Sequence, residues 1–257
     1  MTTRARSVKI TAIAVLAGLL AGGAVAVGSQ QTPDTPGFGR QPANLGQVKN
    51  DVKAYYGDSV DASGHHHAAD SSEWARQAAR AVAEGQSYLA RRLSQRVHNP
   101  AIVLDVDDTS ELTYGWEADH DFGYNAAAAE QAIDNGEFPA IQPTLKLANW
   151  AAQHGVKVYF LTGRPEHQRA ATLKDLANEG YPAPAGAFLK PEAGGAVPGY
   201  LTCAPTCTTT QYKSLTRQHI ESLGDTVVLN LGDQFSDLDG GHAERPVKLP
   251  NPMYYLP

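Results

Sequence analysis

Four short, nearly continuous runs of apolar residues constrain most strongly what this chain can fold into. They follow Pro100, at residues 101–106, 156–162, 186–190 and 225–233. Runs of this length and composition are typical of strands in a parallel sheet that is covered on both faces. They therefore predict the central layer of an α/β domain.

Segments with helical periodicity separate these runs. They cover residues near 141–153, 166–179 and 210–223. A glycine placed to end a helix follows each segment, at Gly155, Gly180 and Gly224. Because strand and helix alternate, we predict an α/β fold with a Rossmann-like, doubly wound parallel sheet.

Two more helices are predicted before the first strand, within residues 44–99. The apolar face of the first, which ends at Gly57, consists of Leu45, Val48, Val52 and Tyr55. The second starts at Ser71 and Ser72 with Glu73 and runs to about Arg92. Its apolar stripe consists of Trp74, Ala78, Val82, Gly85 and Leu89.

Residues 110–140, after the first strand, interrupt the alternation. We predict a long loop there that forms a small cap. Its aromatic residues are Tyr114, Trp116, Phe122, Tyr124 and Phe138. Ligands of open α/β sheets bind beyond the carboxyl ends of the strands, and the insertion leaves from such an end. We expect some of these aromatics to pack a small subcore and two or three to face a substrate.

The first residues have the pattern of an export signal. A basic start, with Arg4, Arg6 and Lys9, precedes an uncharged apolar stretch that ends at a small-x-small cleavage site. The predicted divisions are a signal peptide over 1–26, a flexible lead-in over 27–43 and a folded domain over 44–257. An uncleaved anchor is the alternative, and the glycines within the stretch disfavour it.

The net negative charge of the chain bears on which partners it can bind. The chain has 21 Lys and Arg against 27 Asp and Glu, and removing the signal takes away three cations, which changes the formal charge from −6 to −9. Nucleic-acid binders depend on clustered basic residues, so this acidity argues against nucleic acid as a partner. No other apolar stretch has spanning length, and we expect a secreted protein with no stable membrane insertion.

Two groups of possible soft metal ligands have simpler interpretations. Cys203 and Cys207 are separated by three residues, and in an oxidising compartment we expect a disulfide, with half of a metal site as the alternative. Three adjacent histidines, His65–His67, cannot all face one metal from a regular element. We interpret them as a solvated loop, with metal binding as the alternative.

Carboxylates stand where the strands end. The first strand ends at Asp105 and Asp107, whose side chains share a face at i and i+2 in an extended segment. Two such carboxylates repel each other unless a cation lies between them or one of them holds a proton. The fourth strand leads to Asp233 and Asp237, four residues apart at the entry to a helix. Hard oxygen ligands without soft ones indicate Mg²⁺.

Other residues of the predicted domain are suited to holding an anion. The second strand ends at Thr162, Gly163 and Arg164, where a hydroxyl and an amide precede a helix. Lys213 lies near the start of the last long helix and can reach a phosphoryl oxygen. An EF-hand is excluded at Asp105 and at Asp237, because Ser110 and His242 occupy its glycine position. Neither a GxxxxGK[ST] loop nor a GxSxG elbow occurs in the sequence.

In this order, DVDDT, LTGR, the lysine of YKS and GDQFSD resemble the four motifs of the haloacid dehalogenase (HAD) superfamily of phosphohydrolases. Within it the chain is similar, from about Leu45 to its end, to the secreted acid phosphatases that include plant acid phosphatases and vegetative storage proteins. The ending, GDQFSDLDGG followed by RPVKLPNPMYYLP, resembles the ending of that branch. The family often has Glu where this chain has Asp108, a position that we interpret as structural.

The resemblance implies a role for each motif residue. Asp105 would attack phosphorus to form an aspartyl-phosphate, and Asp107 would protonate the leaving alcohol and then activate water. Thr162, the Gly163 amide and Lys213 would hold the transferring oxygens. Arg164 would contact substrate or form a scaffold salt bridge. The implied Mg²⁺ ligands are the Asp105 carboxylate, the Asp107 backbone carbonyl, Asp233 and Asp237, the last one directly or through water.

The sequence thus predicts a secreted, Mg²⁺-dependent acid phosphatase acting on a small phosphomonoester. A non-catalytic storage or phosphate-binding protein on the same fold is the alternative, and the presence of Asp105 weighs against it. A phosphoacceptor receiver also uses acids, a threonine and a lysine, but export and the Asp105–Asp107 pair disfavour it. We expect substrate selectivity to come from residues 110–140 and from the N-terminal helices.

Overall fold

A computed structural model describes residues 42–256 of the chain. The predicted signal peptide and nearly all of the predicted lead-in lie outside the described residues. Within these bounds five strands form one parallel sheet: β3 Pro100–Leu104, β4 Lys157–Pro165, β5 Gly186–Lys190, β6 Thr226–Gly232 and β7 Arg245–Lys248. Their order across the sheet is β5-β4-β3-β6-β7. The predicted α/β fold is confirmed.

Eight helices and a two-stranded ribbon accompany the sheet in the described part of the chain. The helices are α1 Leu45–Tyr56, α2 Glu73–Ser94, α3 Tyr114–Asp119, α4 Ala126–Asn135, α5 Gln142–Gln153, α6 Arg169–Asn178, α7 Thr209–Ser222 and α8 Phe235–Leu238. A short 3-10 turn, Glu166–Gln168, precedes α6. The antiparallel ribbon pairs β1 Ser59–Val60 with β2 His66–His67.

The central strand β3 shows why its sequence is apolar without interruption. Ile102 and Leu104 are buried in a cluster with side chains of α2 and α5, while Ala101 and Val103 are buried in a second cluster with side chains of α7. Both faces of the strand are therefore covered by helices, as continuous apolar runs require. Burial of apolar surface contributes about 25 cal/mol per Å², so covering both faces of the strand stabilises the sheet.

The helix ends follow the predicted stop signals. Gly155, Gly180 and Gly224 each have positive φ, between 73° and 92°, just after α5, α6 and α7. A left-handed backbone of this kind ends a helix and is cheap only for a residue without Cβ. Gly57 ends α1 in the same way, at φ 63°.

The two N-terminal helices were predicted with unequal success. All five residues of the predicted α2 stripe are buried, and the Ser72 hydroxyl caps the helix by accepting from the amide of Ala75. The predicted α1 face is partly wrong, because Leu45 and Val48 are exposed and Tyr56 is buried rather than Tyr55. The buried residues of α1, Val52 and Tyr56, lie in its last turns, where the Tyr56 ring stacks on the rings of Trp74 and Tyr114.

The insertion over residues 110–140 contains α3 and α4 rather than a long loop. The Asn125 side chain caps α4 and Gly136 ends it, so the helix has ordinary sequence signals. Tyr114, Trp116, Phe122 and Phe138 pack in small apolar clusters, and only Tyr124 among the five predicted aromatics is largely exposed. The structure therefore favours the subcore interpretation of these residues.

The other ligand candidates each have a partner of their own. Cys203 and Cys207 form a disulfide. Each histidine of the 65–67 group pairs with a different carboxylate, of Asp119, Asp58 and Asp61 respectively, so the three do not converge. No helix among residues 42–256 combines the length and the apolar character that a bilayer span needs.

Candidate active site

The acidic residues of the first and fourth strands meet at the carboxyl edge of the sheet. Asp105 follows β3, and its amide donates to the Leu231 carbonyl of the neighbouring β6 at 3.0 Å. The chain leaving β6 turns immediately into the short helix α8, which brings Asp237 back beside Asp233. Carboxylate oxygens of Asp105, Asp233 and Asp237 lie within 4.8 Å of one another, and all three residues are buried. We call this group the acid cluster.

Buried donors fix the turn that carries the cluster. The Asp237 carboxylate accepts from the Gln234 amide at 2.9 Å, which closes the turn. The Asp237 carbonyl accepts from the guanidinium of Arg217 and from the Asn230 side chain. Gly232 leaves space for this turn, since a Cβ there would lie 2.6 Å from a carboxylate oxygen of Asp237.

Lys213 is the cation inside the cluster. Its ammonium donates to the Asp105 carboxylate and to the Leu161 carbonyl, and it lies 2.7 Å from Asp237. The side chain is 3% exposed, so these contacts replace its hydration almost entirely. The helix α7 that carries it starts with a capping box between Thr208 and Gln211, which sets the position of its first turns.

Electrostatics favour a cation at the acid cluster. Three carboxylates and one ammonium leave two negative charges in a buried space. Burial raises the pKa of Asp105 well above its usual range, against the pull of Lys213, and it raises the pKa of Asp233 to about 6. A divalent cation with a preference for hard oxygen ligands would balance this charge and return the carboxylates to their ionised form. The donor set therefore fits Mg²⁺.

Asp107 lies apart from the cluster, in a second ionic network. Its carboxylate accepts from Arg164 Nη2 at 2.6 Å and from Arg164 Nε at 3.1 Å, and it is 31% exposed. The same guanidinium donates to Glu111 at 2.6 Å and to the Thr172 hydroxyl at 3.2 Å. Of the two roles that the sequence leaves open for Arg164, this geometry favours the scaffold salt bridge.

The end of β4 lies between the two networks. Thr162 is buried, and its hydroxyl accepts from the Arg164 amide at 3.1 Å. Gly163 is exposed, and no atom lies within 4 Å of the position that a Cβ would take. Because β4 continues to Pro165 and is followed by a 3-10 turn, the predicted helix N-terminus begins later than the sequence indicated. An anion can nevertheless approach the Gly163 backbone from solvent.

A family model described as HAD superfamily, subfamily IIIB (acid phosphatase), matches residues 43–257. The chain belongs to this subfamily. The match covers the predicted domain from α1 to the last residue, so both ionic networks lie within it.

Relatives of this subfamily IIIB chain include acid phosphatase 1 of Solanum lycopersicum, 35% identical over 60% of this chain and 58% of that protein. The stem 28 kDa glycoprotein of Glycine max is 30% identical over 66% of each chain. Vegetative storage protein 1 of Arabidopsis thaliana is 27% identical over 60% of this chain and 55% of that protein. The chain thus spans about three fifths of the length of these relatives.

A solved class C acid phosphatase from Bacillus anthracis has the same fold as this subfamily IIIB chain. The two superpose with a TM-score of 0.61 at 21% identity, over 82% of this chain and 86% of the other. At this identity the likeness shows the fold alone. It agrees with the parallel sheet described above.

Several residues of the subfamily IIIB site were not singled out from the sequence. Glu111, which was missed, accepts a hydrogen bond from Arg164. Asp108 is the exception, since the sequence already indicated a structural position. It is fully buried at φ 53°, and its carboxylate accepts from the Thr113 amide and hydroxyl. From the C-terminal segment, Tyr254 donates to Asp108 at 2.7 Å and Asn251 donates to Asp233 at 2.8 Å. The sequence offered one signal for the last two, the resemblance of the chain's ending to that of the family.

Proposed function

We propose that the chain is a secreted, Mg²⁺-dependent acid phosphatase that hydrolyses small phosphomonoesters through an aspartyl-phosphate on Asp105. The observation that carries the proposal is the position of the Asp105 carboxylate. At the carboxyl edge of the sheet, it accepts from the ammonium of Lys213 and lies within 4.8 Å of the carboxylates of Asp233 and Asp237. Membership of an acid phosphatase subfamily supports the same reaction class.

In the first step an oxygen of Asp105 attacks phosphorus, and the bond from phosphorus to the alcohol oxygen breaks. Asp107, which is partly exposed and stands two residues along, donates a proton to that oxygen. Lys213, the Thr162 hydroxyl and the Gly163 amide hold the oxygens of the transferring group. Arg164 keeps the Asp107 carboxylate in one orientation through three hydrogen bonds.

In the second step Asp107, now ionised, takes a proton from water. The hydroxide attacks phosphorus, the bond from phosphorus to Asp105 breaks, and inorganic phosphate leaves. Asp105, Asp233, Asp237 and the backbone carbonyl of Asp107 would hold Mg²⁺. When bound, the cation neutralises the carboxylates and the phosphoryl oxygens, so that the negative substrate is attracted rather than repelled.

The experiment is hydrolysis of a phosphomonoester panel by the wild type and by Asp105→Asn, each with Mg²⁺ and with excess EDTA. We expect turnover only for the wild type with Mg²⁺, and a variant with a wild-type circular dichroism spectrum. Full turnover in EDTA would contradict the metal assignment. Near-normal turnover by folded Asp105→Asn would place the nucleophile elsewhere.

A second candidate is a storage protein that binds phosphate without catalysis. The names of the soybean and Arabidopsis relatives favour it, since they are stem glycoproteins and vegetative storage proteins. The same panel distinguishes the two candidates. If the protein is a storage protein, the wild type will bind inorganic phosphate but will show no turnover with Mg²⁺. Mass spectrometry of the exported chain tests secretion, with a start near Val27 as the expected result.

A further inference from the structure

The C-terminal segment, residues 249–256, lies against the back of the acid cluster. Its first residue, Leu249, directly follows β7, and its amide donates at 2.9 Å to the carbonyl of Gly232, the last residue of β6. The Pro250 carbonyl accepts from the indole of Trp74, which ties the segment to α2. Near its end, the Leu256 amide donates to the side chain of Gln234 at 3.2 Å. The segment is therefore held at both ends.

Between these ends, the segment places side-chain donors on the buried acids. Asn251 Nδ2 donates to Asp233 Oδ2 at 2.8 Å and approaches Asp108 Oδ2 at 3.4 Å. The Tyr254 hydroxyl donates to Asp108 Oδ2 at 2.7 Å. Asn251 is itself braced, because its Oδ1 accepts from the Met253 amide at 2.8 Å. The amide plane is thus fixed with its NH₂ group toward the acids.

The two oxygens of Asp233 are treated differently. Oδ2 accepts from Asn251 at 2.8 Å and from Gln234 Nε2 at 2.7 Å. Among the described residues Oδ1 has only the long contact of the Thr109 hydroxyl, at 3.4 Å. Two amide donors therefore fix the carboxylate and leave one oxygen with spare lone pairs. Such partners hold metal-binding carboxylates in orientation, and their loss typically weakens metal binding.

We propose that Asn251 is a positioning residue, which orients the Asp233 carboxylate so that its free oxygen is offered to a divalent cation at the acid cluster. The proposal rests on the proposed function, because it needs a cation at that cluster. Asn251 holds Asp233 by a neutral donor, which costs no charge in a space that already carries three carboxylates and one ammonium. An aspartate at this position would add a fourth negative group and lose the donor.

Tyr254 and Gln234 contact different acids and therefore differ in function. Tyr254 contacts Asp108, which is outside the acid cluster, so it anchors the segment without touching a cluster carboxylate. Gln234 connects the segment to Asp233, since its Oε1 accepts from Leu256 while its Nε2 donates to Asp233. Loosening the segment at Tyr254 therefore leaves both donors of Asp233 in place.

The test is calorimetric titration of Mg²⁺ into metal-free full-length protein, alongside thermal unfolding in EDTA. We expect Asn251→Ala to bind Mg²⁺ about 10- to 100-fold more weakly than wild type. Tyr254→Phe should stay within about 3-fold, because it keeps both donors of Asp233. Asn149→Ala is the matched control, since its amide donates only to the backbone carbonyls of Leu145 and Gly180. It should bind as wild type does.

Kinetics give a second readout. With Asn251→Ala, the Mg²⁺ concentration for half-maximal turnover should rise by the same factor as the dissociation constant, and saturating Mg²⁺ should restore most of kcat. Equal Mg²⁺ affinity for Asn251→Ala and wild type would overturn the inference alone. An equal loss in Tyr254→Phe would also overturn it, because general loosening would then explain the effect. A wild type that binds no Mg²⁺ would overturn it together with the metal assignment.

Discussion

The protein contains two kinds of ion pair, and their surroundings differ. At the carboxyl edge of the sheet, Lys213 and Arg164 are 3% and 2% exposed, and each is shared between two carboxylates. Around the insertion, histidines form pairs whose members are mostly exposed, such as His167 with Glu130 and Glu192. We call these the inner and outer pairs.

The difference teaches that residue type alone does not make a chemical site. Arg164 and His167 both lie close to two carboxylates, at similar distances of 2.6 to 3.1 Å. Water screens the outer pairs, so each contributes little. In the inner pairs the removal of water makes each charge depend on its partner, so that the loss of one partner leaves an uncompensated buried charge.

The largest effect should come from Lys213→Met. Asp105 and Asp237 would lose their shared buried partner, and breaking a buried pair in this way costs about 3–5 kcal/mol. In EDTA we expect the free energy of unfolding to fall by that amount in urea titrations. Turnover should fall at least about 1,000-fold, because in the proposed mechanism the ammonium also holds the transferring group.

The control for this prediction is Lys49→Met, which breaks the exposed pair of Lys49 with Asp121. It should change the free energy of unfolding by less than about 1 kcal/mol. Equal losses in the two variants would contradict the distinction between inner and outer pairs.

The next effect should come from Gly232→Ala. The added Cβ would collide with the Cβ of Asp237 and lie 2.6 Å from its carboxylate. Overpacking of this kind costs about 1–3 kcal/mol, and here it also displaces a member of the acid cluster. We expect lower stability in denaturant titrations together with weaker Mg²⁺ binding.

Gly163→Ala is the matched variant, since the same added atom meets nothing within 4 Å. Its free energy of unfolding should stay within about 0.5 kcal/mol of wild type. A stability loss as large as that of Gly232→Ala would mean that crowding at the acid cluster is not the cause.

Arg164→Lys should have an intermediate effect on catalysis. A lysine cannot reproduce the fork that reaches Asp107, Glu111 and Thr172 at once, so the Asp107 carboxylate would lose its fixed orientation. Misplacement of an acid–base group by about 1 Å costs on the order of 100-fold. We expect kcat to fall by about 10- to 100-fold with a small change in KM.

Arg169→Lys tests whether this effect belongs to the inner network. Arg169 follows the same strand and forms an exposed pair with Glu166. Its kcat should stay within about 2-fold of wild type, because screened surface pairs contribute little. A similar fall in both variants would indicate that any arginine in this segment has the same role.

Much of the fold could be predicted because burial on both faces leaves a direct trace in the sequence. The runs that became β3, β4, β5 and β6 are nearly all apolar, and the α2 stripe is buried as predicted. The strand β7, Arg245–Lys248, leaves no such trace, since its first two residues are exposed and only Val247 is buried. The α1 face failed because tertiary contacts, rather than periodicity, decide which turns are covered.

The site could be predicted where motif residues end strands, because a parallel sheet brings such ends together. Asp105, Asp233 and Asp237 converge for this reason. The residues that hydrogen-bond to the motif residues were missed, since no pattern in the sequence around them distinguishes them from other polar residues. Glu111 follows the first motif, and Asn251 lies 18 residues after Asp233 in an irregular segment. Their partners depend on how distant segments pack, which one sequence does not show.

The smallest effect concerns an outer pair and the pH. His167 Nδ1 lies 2.9 Å from Glu192, after β5, and Nε2 lies 3.1 Å from Glu130, on α4 of the insertion. The hydrogen bond to Glu192 is the main reason that the pKa of His167 is raised above 6.5, and Glu130 adds to it. The folded state therefore holds the proton more tightly than the unfolded chain, and the stabilisation is complete below pH 6.5.

This stabilisation disappears as the pH rises through the raised pKa of His167. We expect His167→Gln to lower Tm slightly below pH 6.5 and to match wild type at pH 9. Scanning calorimetry across this range measures the difference, with exposed His98→Gln as the control that should follow wild type. Parallel curves for wild type and His167→Gln would show that the outer pair contributes nothing. A difference that grows with pH would reverse the sign and exclude protonated His167 as its source.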